Sequence, residues 1–274
     1  MNPATPAQTT PAMRRMLLLA AILVVIIGMS AFSLPTRTGV YFSWTIGSPL
    51  TAAFLGGSYL AAFVLELLAS REKLWANARV AVPAVFLFTA LTLVVTLLHL
   101  DIFHFDSPHW NTVAGTWTWL FVYLLVPFIL GALWLMQSRL GGGDPARAAP
   151  LPGWARAGLR MQGIVMALAG LLLLVAPTAV ATAWPWPLTP LTGRAIGAWG
   201  IGIGTAVLHT AHENDWRRGR AGFAGVLVFA LLQGINLARF GGEFAWSSAA
   251  GIAYLALLVS LGGKGLGGVL RARG

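Results

Sequence analysis

The chain has 274 residues, of which 57% are hydrophobic and only 9% charged, yet its net charge is +10. Soluble domains carry about 25% charged residues, so this chain lacks the polar surface needed to cover a water-soluble globule. It contains no cysteine, which excludes disulfides, Fe–S clusters and thiolate metal sites.

Residues 1–15, opening MNPATPAQTTPAM, are polar and proline-rich and read as a disordered cytoplasmic tail. Eight apolar runs follow, at 16–34, 49–69, 80–99, 117–136, 161–183, 194–211, 222–239 and 245–261. A hydrocarbon core of about 30 Å needs about 20 apolar residues at helical rise. Helix is also the open-ended element that satisfies its own backbone in lipid. The expected fold class is therefore all-α, a polytopic integral membrane protein with eight transmembrane helices. Arg14 and Arg15 precede the first run as in a signal peptide, but the run is too long, lacks an A-x-A site and is followed by further spans, so it is expected to be retained. Threading the chain back and forth places fifteen of the 18 Lys and Arg residues on one side, leaving Arg37, Arg194 and Arg239 on the other. This positive-inside asymmetry predicts cytoplasmic termini and a multi-pass protein of the bacterial plasma (inner) membrane. The basic residues are topogenic; membrane lipids are expected partners and nucleic acid is not.

The chain also repeats itself. At one constant spacing, Pro49, Leu50, Thr51, Gly56, Glu72, Trp75 and Arg79 fall on Pro190, Leu191, Thr192, Gly197, Glu213, Trp216 and Arg220. Such self-similarity decides the architecture: a first four-helix unit at 16–140, a Gly/Pro-rich cytoplasmic linker at 141–159, a second unit at 160–262, and a basic glycine-rich tail at 263–274. Four helices being an even number, both units enter the membrane in the same direction, as parallel repeats. The segments WPWPLTPLTGRAIGAW and HENDWRR within 160–262, with a diverged copy in the first half, resemble small four-helix bacterial membrane proteins of the DoxX-like kind, here in tandem. The resemblance implies a bundle in each half. Some DoxX-like proteins are associated with respiratory or thiol-redox complexes, and this chain has no thiol to take part in the latter.

The tryptophans Trp44, Trp110, Trp117, Trp119, Trp184, Trp186 and Trp246 group at the outer turns, as an interfacial belt would. The outer segment after the third run holds Asp101, His104, Asp106 and His109, a mixed set suited to zinc, manganese or non-haem iron, which makes a divalent metal the one cofactor candidate while the cofactor itself stays open. The favoured reading of the segment is a polar cap, with Asp106 or Ser107 opening a helix at Pro108 and the remaining acids pairing with Arg37, Arg194 and Arg239. His209 and His212, beside Glu213 and Asp215, read as part of a tight cytoplasmic hairpin. No charged residue falls at mid-membrane; Glu66 comes nearest, about one turn from the cytoplasmic end and close to Arg71 and Lys73, which argues against proton-driven transport. Thr92, Thr96, Gln233 and Asn236 are the buried polar candidates for lining a cavity. Gly193, Gly197, Gly200 and Gly204 fit close helix approach, and the match of Gly56 with Gly197 sets the second helices of the two halves against each other. No catalytic constellation is recognisable, so a non-enzymatic accessory or scaffold subunit is the first expectation, joined to other membrane subunits or to a second copy through the glycine-rich helices. A carrier or channel for a neutral or lipidic solute between the repeats comes next, and an outer-face metal-binding protein or metalloenzyme third.

Overall fold

The computed structural model describes residues 5–272 and is helical, with two isolated β-bridges and no strand among the described residues. The long helices are α1 (Pro11–Ser33), α2 (Pro49–Arg71), α3 (Val82–Leu98), α4 (Trp110–Ser138), α5 (Gly153–Val175), α6 (Pro190–Glu213), α7 (Arg220–Phe240) and α8 (Ala249–Arg271). Seven are long and apolar enough to cross a membrane, which makes this a multi-pass membrane protein; α3, with 17 residues, is the shorter apolar helix. Short polar residues set the starts. Thr10, Ser48 and Ser248 each accept a backbone N–H from the first turn of α1, α2 and α8. Thr189 forms a capping box with Thr192 at the start of α6. Proline occupies the first helical position of α1, α2 and α6, where a missing N–H costs nothing. Asn214, at φ 51°, closes α6 in the left-handed region.

Four helices form the interior and four the rim. The most apolar windows of α2 and α6 are 67% and 61% buried, against 28% for α4 and 22% for α8. α1 packs on α2 and α5 on α6; α3 packs on α4 and α7 on α8. The two pairs in each half are joined mainly across the halves, α2 against α7 and α6 against α3. This corrects the expected contact between α2 and α6, which barely touch. Gly56 instead admits the α1 backbone at Ala31 and Phe32. On α6, Gly197 and Gly204 face Gly170 and Gly163 of α5, where an added Cβ would lie 2.7 Å from each carbonyl oxygen. Gly56 and Gly197 thus serve like contacts, each inside its own half of the chain. These faces of α6 are therefore occupied within the chain.

Three other expectations change. Of the supposed tail, residues 1–4 lie outside the described residues, while residues 5–10 are tied down: Thr9 N donates to Lys73 O at 2.7 Å, and Gln137 takes Thr10 N at 2.9 Å and reaches Gln8 O at 2.9 Å. Residues 263–271, read as a tail, continue α8 with Gly265 and Gly268 against Leu227 and Phe223; Arg273 lies outside the described residues. The tryptophan belt is split. Trp110, Trp117 and Trp246 are exposed on the rim, whereas Trp44, Trp119 and Trp186 are buried. Trp119 Nε1 donates to Thr96 Oγ1 and Trp186 Nε1 to Thr51 Oγ1, both at 3.0 Å, so two indoles satisfy their donors in the interior.

Candidate functional site

The four inner helices leave a cavity of about 40 Å³ where they meet. Its wall includes Ser58 and Glu66 of α2, Phe88 of α3, Trp199 and Gly202 of α6, and Phe229 of α7. Glu66 is its only titratable lining residue. This carboxyl is 2% exposed, and its Oε2 has no hydrogen-bond partner. No ion pair joins it to Arg71 or Lys73, the cations adjacent in sequence; the described ion pairs all involve other acids. Position along α2 suggested a group near the cytoplasmic end. Position in the bundle is decided by α3, α6 and α7, which close over it. A carboxylate surrounded by apolar atoms, without donor or cation, is among the costliest groups to bury.

The cavity is lopsided. Ser58 and Glu66 put a hydroxyl and a carboxyl on its α2 wall, whereas its α6 wall carries the Trp199 indole, Gly202, Ile203 and Ala206. Ser58 and Glu66 are about 12 Å apart along the helix axis. Beyond Ser58 the polar track continues outward: Gln233 Nε2 donates to Phe54 O at 3.1 Å and approaches Ser58 Oγ at 3.5 Å, and Asn236 Nδ2 donates to Ala53 O at 2.8 Å and Gln233 Oε1 at 3.1 Å. Gln233 and Asn236 thus bind the α2 backbone and do not line the Glu66 cavity. Thr92 and Thr96 border a separate void of about 10 Å³ among Trp44, Tyr59 and Trp119. Beside it, the Tyr59 and Tyr123 hydroxyls hydrogen-bond at 2.6 Å.

The outer Asp/His segment does not converge. His104 uses both ring nitrogens on the protein, Nε2 with Thr45 Oγ1 and Nδ1 with Phe42 O, each at 3.0 Å. Among the described residues, no three His, Asp or Glu side chains are placed to share a metal ion. Asp106 caps nothing: α4 starts at Trp110, with His109 as its N-cap, and it is Ser107 Oγ that takes His109 N. Nor do the outer arginines seek these acids. Arg239 donates to Phe32 O at 2.8 Å and lies over the Phe32 and Phe240 rings, and Arg194 donates to His99 Nε2 at 2.8 Å.

The Arg194–His99 bond assigns a tautomer. Arginine cannot accept, so Nε2 is the acceptor and the His99 proton sits on Nδ1. Burial first, then the Arg194 guanidinium, lowers the His99 pKa from its ordinary value, with Asp101 opposing. The folded protein therefore resists a proton that the unfolded chain takes up below about pH 6.5. The stabilisation is complete above that pH and falls as pH drops, by at most about 1.4 kcal/mol per pH unit for one proton. Comparing thermal unfolding at pH 7 and pH 5 should show a larger acid loss for wild type than for His99→Gln; equal losses would refute the assignment.

At the end of the bundle that holds the turn between α2 and α3, an ionic cluster joins both halves to the linker. Arg79, between α2 and α3, reaches Glu213 Oε1 at 2.5 Å and Oε2 at 2.9 Å and grips Asp144 through two further bonds of 2.9 and 2.6 Å. Arg218 approaches Glu213 and Asp144 at 3.4 Å each and donates to Pro145 O, and His209 meets Glu213 at 3.2 Å. Hydrogen bonding to Glu213 holds the Arg79 guanidinium charged well above its ordinary range. Arg79 of the first half thus pairs with Glu213 of the second, while Asp144 fastens the linker together with two bonds at Ala149, whose N–H donates to Asp215 Oδ2 and whose carbonyl accepts from Trp216 N.

No family model, curated protein or solved structure matches this chain. The arrangement of its own side chains therefore carries the functional argument.

Proposed function

We propose that the chain is an eight-span carrier of the bacterial plasma membrane, with cytoplasmic termini, whose tandem DoxX-like four-helix halves interleave around an exchange site at Glu66 for a proton or a small cation. The eight-span reading is supported by α3, which at about 26 Å is near the hydrocarbon thickness and packs between α4 and α6. The repeat is supported by the matched pairings α1–α2 with α5–α6, α3–α4 with α7–α8, and α2–α7 with α6–α3. A binding site between repeats is the usual place for transported solutes.

The observation that carries the function is the unpartnered Glu66 carboxyl in the central cavity. Ionisable groups buried in membrane proteins mark ion and substrate pathways. A single carboxyl can be neutralised by one positive partner at a time, so proton and cation compete there. The aromatic residues Phe88, Trp199 and Phe229 suit an organic cation, and a space of about 40 Å³ suits one the size of methylammonium. An accessory subunit needs no such site, which moves the reading from scaffold to carrier; other membrane subunits are not required by it. The outer Asp/His segment takes no part.

The test is proton release on adding methylammonium to protein in weakly buffered detergent, followed by methylammonium counterflow in proteoliposomes. Wild type should release about one proton per chain and support counterflow. Glu66→Gln, at unchanged yield and elution, should do neither. Equal behaviour of the two proteins, or no response from wild type, would overturn the proposal.

A further inference from the structure

On the cytoplasmic side the rim opens between the start of α5 and the end of α8. Those helices meet sparsely, and a crevice of about 90 Å³ lies between them, floored by Leu159, Trp216 and Phe223. Lys264 and Arg271 line it from α8. Neither forms an ion pair with a carboxylate among the described residues. The nearby acids are committed elsewhere: Glu213 to Arg79, and Asp215 to the backbone N–H groups of Ala149, Arg217 and Arg218.

The direction of Lys264 is informative. An interfacial lysine normally extends its ammonium toward water. Here Nζ donates to Ser260 Oγ at 2.7 Å, one turn deeper along α8, and the stem crosses Gly158 of α5, where any Cβ would lie 2.8 Å from Lys264 Cε. Glycine at 158 thus makes room for a cation that turns inward. Arg271 lies over Trp216 at 5.2 Å from the ring centroid, which orients its guanidinium at the mouth. Trp154, at 68% exposure, stands on the opposite lip. Two uncompensated cations at different depths, an apolar floor and an exposed indole complement an anionic headgroup with an acyl chain below it.

We propose that this crevice binds one anionic phospholipid of the cytoplasmic leaflet, its phosphodiester between Lys264 and Arg271 and its chain along Leu159 and Phe223. The assignment rests on the orientation proposed above, but its test is made in detergent and does not depend on transport. Delipidated protein is mixed with phosphatidylglycerol or with phosphatidylcholine of the same chains, and retained lipid is counted by native mass spectrometry. Wild type should keep one phosphatidylglycerol at least ten-fold in excess of phosphatidylcholine. Lys264→Gln/Arg271→Gln should lose that preference, whereas Arg15→Gln, removing an exposed cation elsewhere on the same side, should keep it. Gly263→Leu fills the crevice from α8 at a position with open space around its Cβ, so it leaves both cations in place and should also lose the lipid, which covers the case in which the double variant folds poorly. Retention of phosphatidylglycerol by both crevice variants, equal loss in Arg15→Gln, or displacement of the lipid by millimolar inorganic phosphate would each overturn the proposal, the last by marking a site for a soluble anion.

Discussion

Arg79→Ala is expected to destabilise the protein by about 3–5 kcal/mol, the largest single loss available at its end of the bundle. The Glu213 side chain is fully buried, and Arg79 is its closest cation. Removing Arg79 strands that carboxylate beside Arg218 at 3.4 Å and His209 at 3.2 Å, and also frees Asp144 and the linker. The cause is separable from lost packing. If the uncompensated charge is responsible, Arg79→Ala/Glu213→Gln should recover a substantial part of the loss, because a neutral amide is far cheaper to bury. Unfolding in mixed micelles by titrated denaturing detergent measures both variants; a double variant no better than the single would assign the loss to packing.

The second large effect lies where backbones touch. At Gly170 an added Cβ would stand 2.6 Å from Gly197 O and 2.8 Å from Ile201 N, and at Gly197 it would stand 2.7 Å from Gly170 O. Main chain cannot swing aside as a side chain can, so a larger residue must push α5 and α6 apart. Gly170→Leu and Gly197→Leu should each cost at least about 3 kcal/mol, the upper end for overpacking. Because either one already separates the helices, the pair should cost much less than the sum. Strict additivity in the same unfolding assay would show that the two glycines act on separate contacts.

Helix positions were legible because a lipid-spanning segment must be apolar along its length, and the Ser48–Pro49 and Thr189–Pro190 starts carry local capping chemistry. What a single chain pattern cannot display is which side of a helix meets which neighbour. Trp44, Trp119 and Trp186 are as apolar at the interface as in the interior, so hydropathy reads all of them as belt residues. Glu66 was judged by its distance from the end of α2, although its burial is imposed by residues that follow far along the chain, from Phe88 to Phe229. The Gly56–Gly197 match located equivalent positions correctly but said nothing about facing. The repeated Glu and Arg were visible as a motif, whereas the fact that Arg79 meets Glu213 of the other copy required three dimensions. In the outer segment, His104 looked available for a metal because its partners, Thr45 and the Phe42 carbonyl, lie about sixty residues earlier.

The cross-pairing of α2 with α7 and α6 with α3 bears on how such a chain could arise and be assembled. Cut at the linker, neither fragment keeps a full set of neighbours: α2 and α6 each lose an inner partner, and α3 and α7 lose theirs in return. Each half is thus expected to depend on the other for folding, as a subunit depends on its partner in an obligate dimer. Residues 1–147 produced alone should be degraded or aggregated. Co-production of 1–147 with 148–274 should restore a complex that purifies as one, and recovery of either fragment as a stable monomer would show that the halves are self-sufficient.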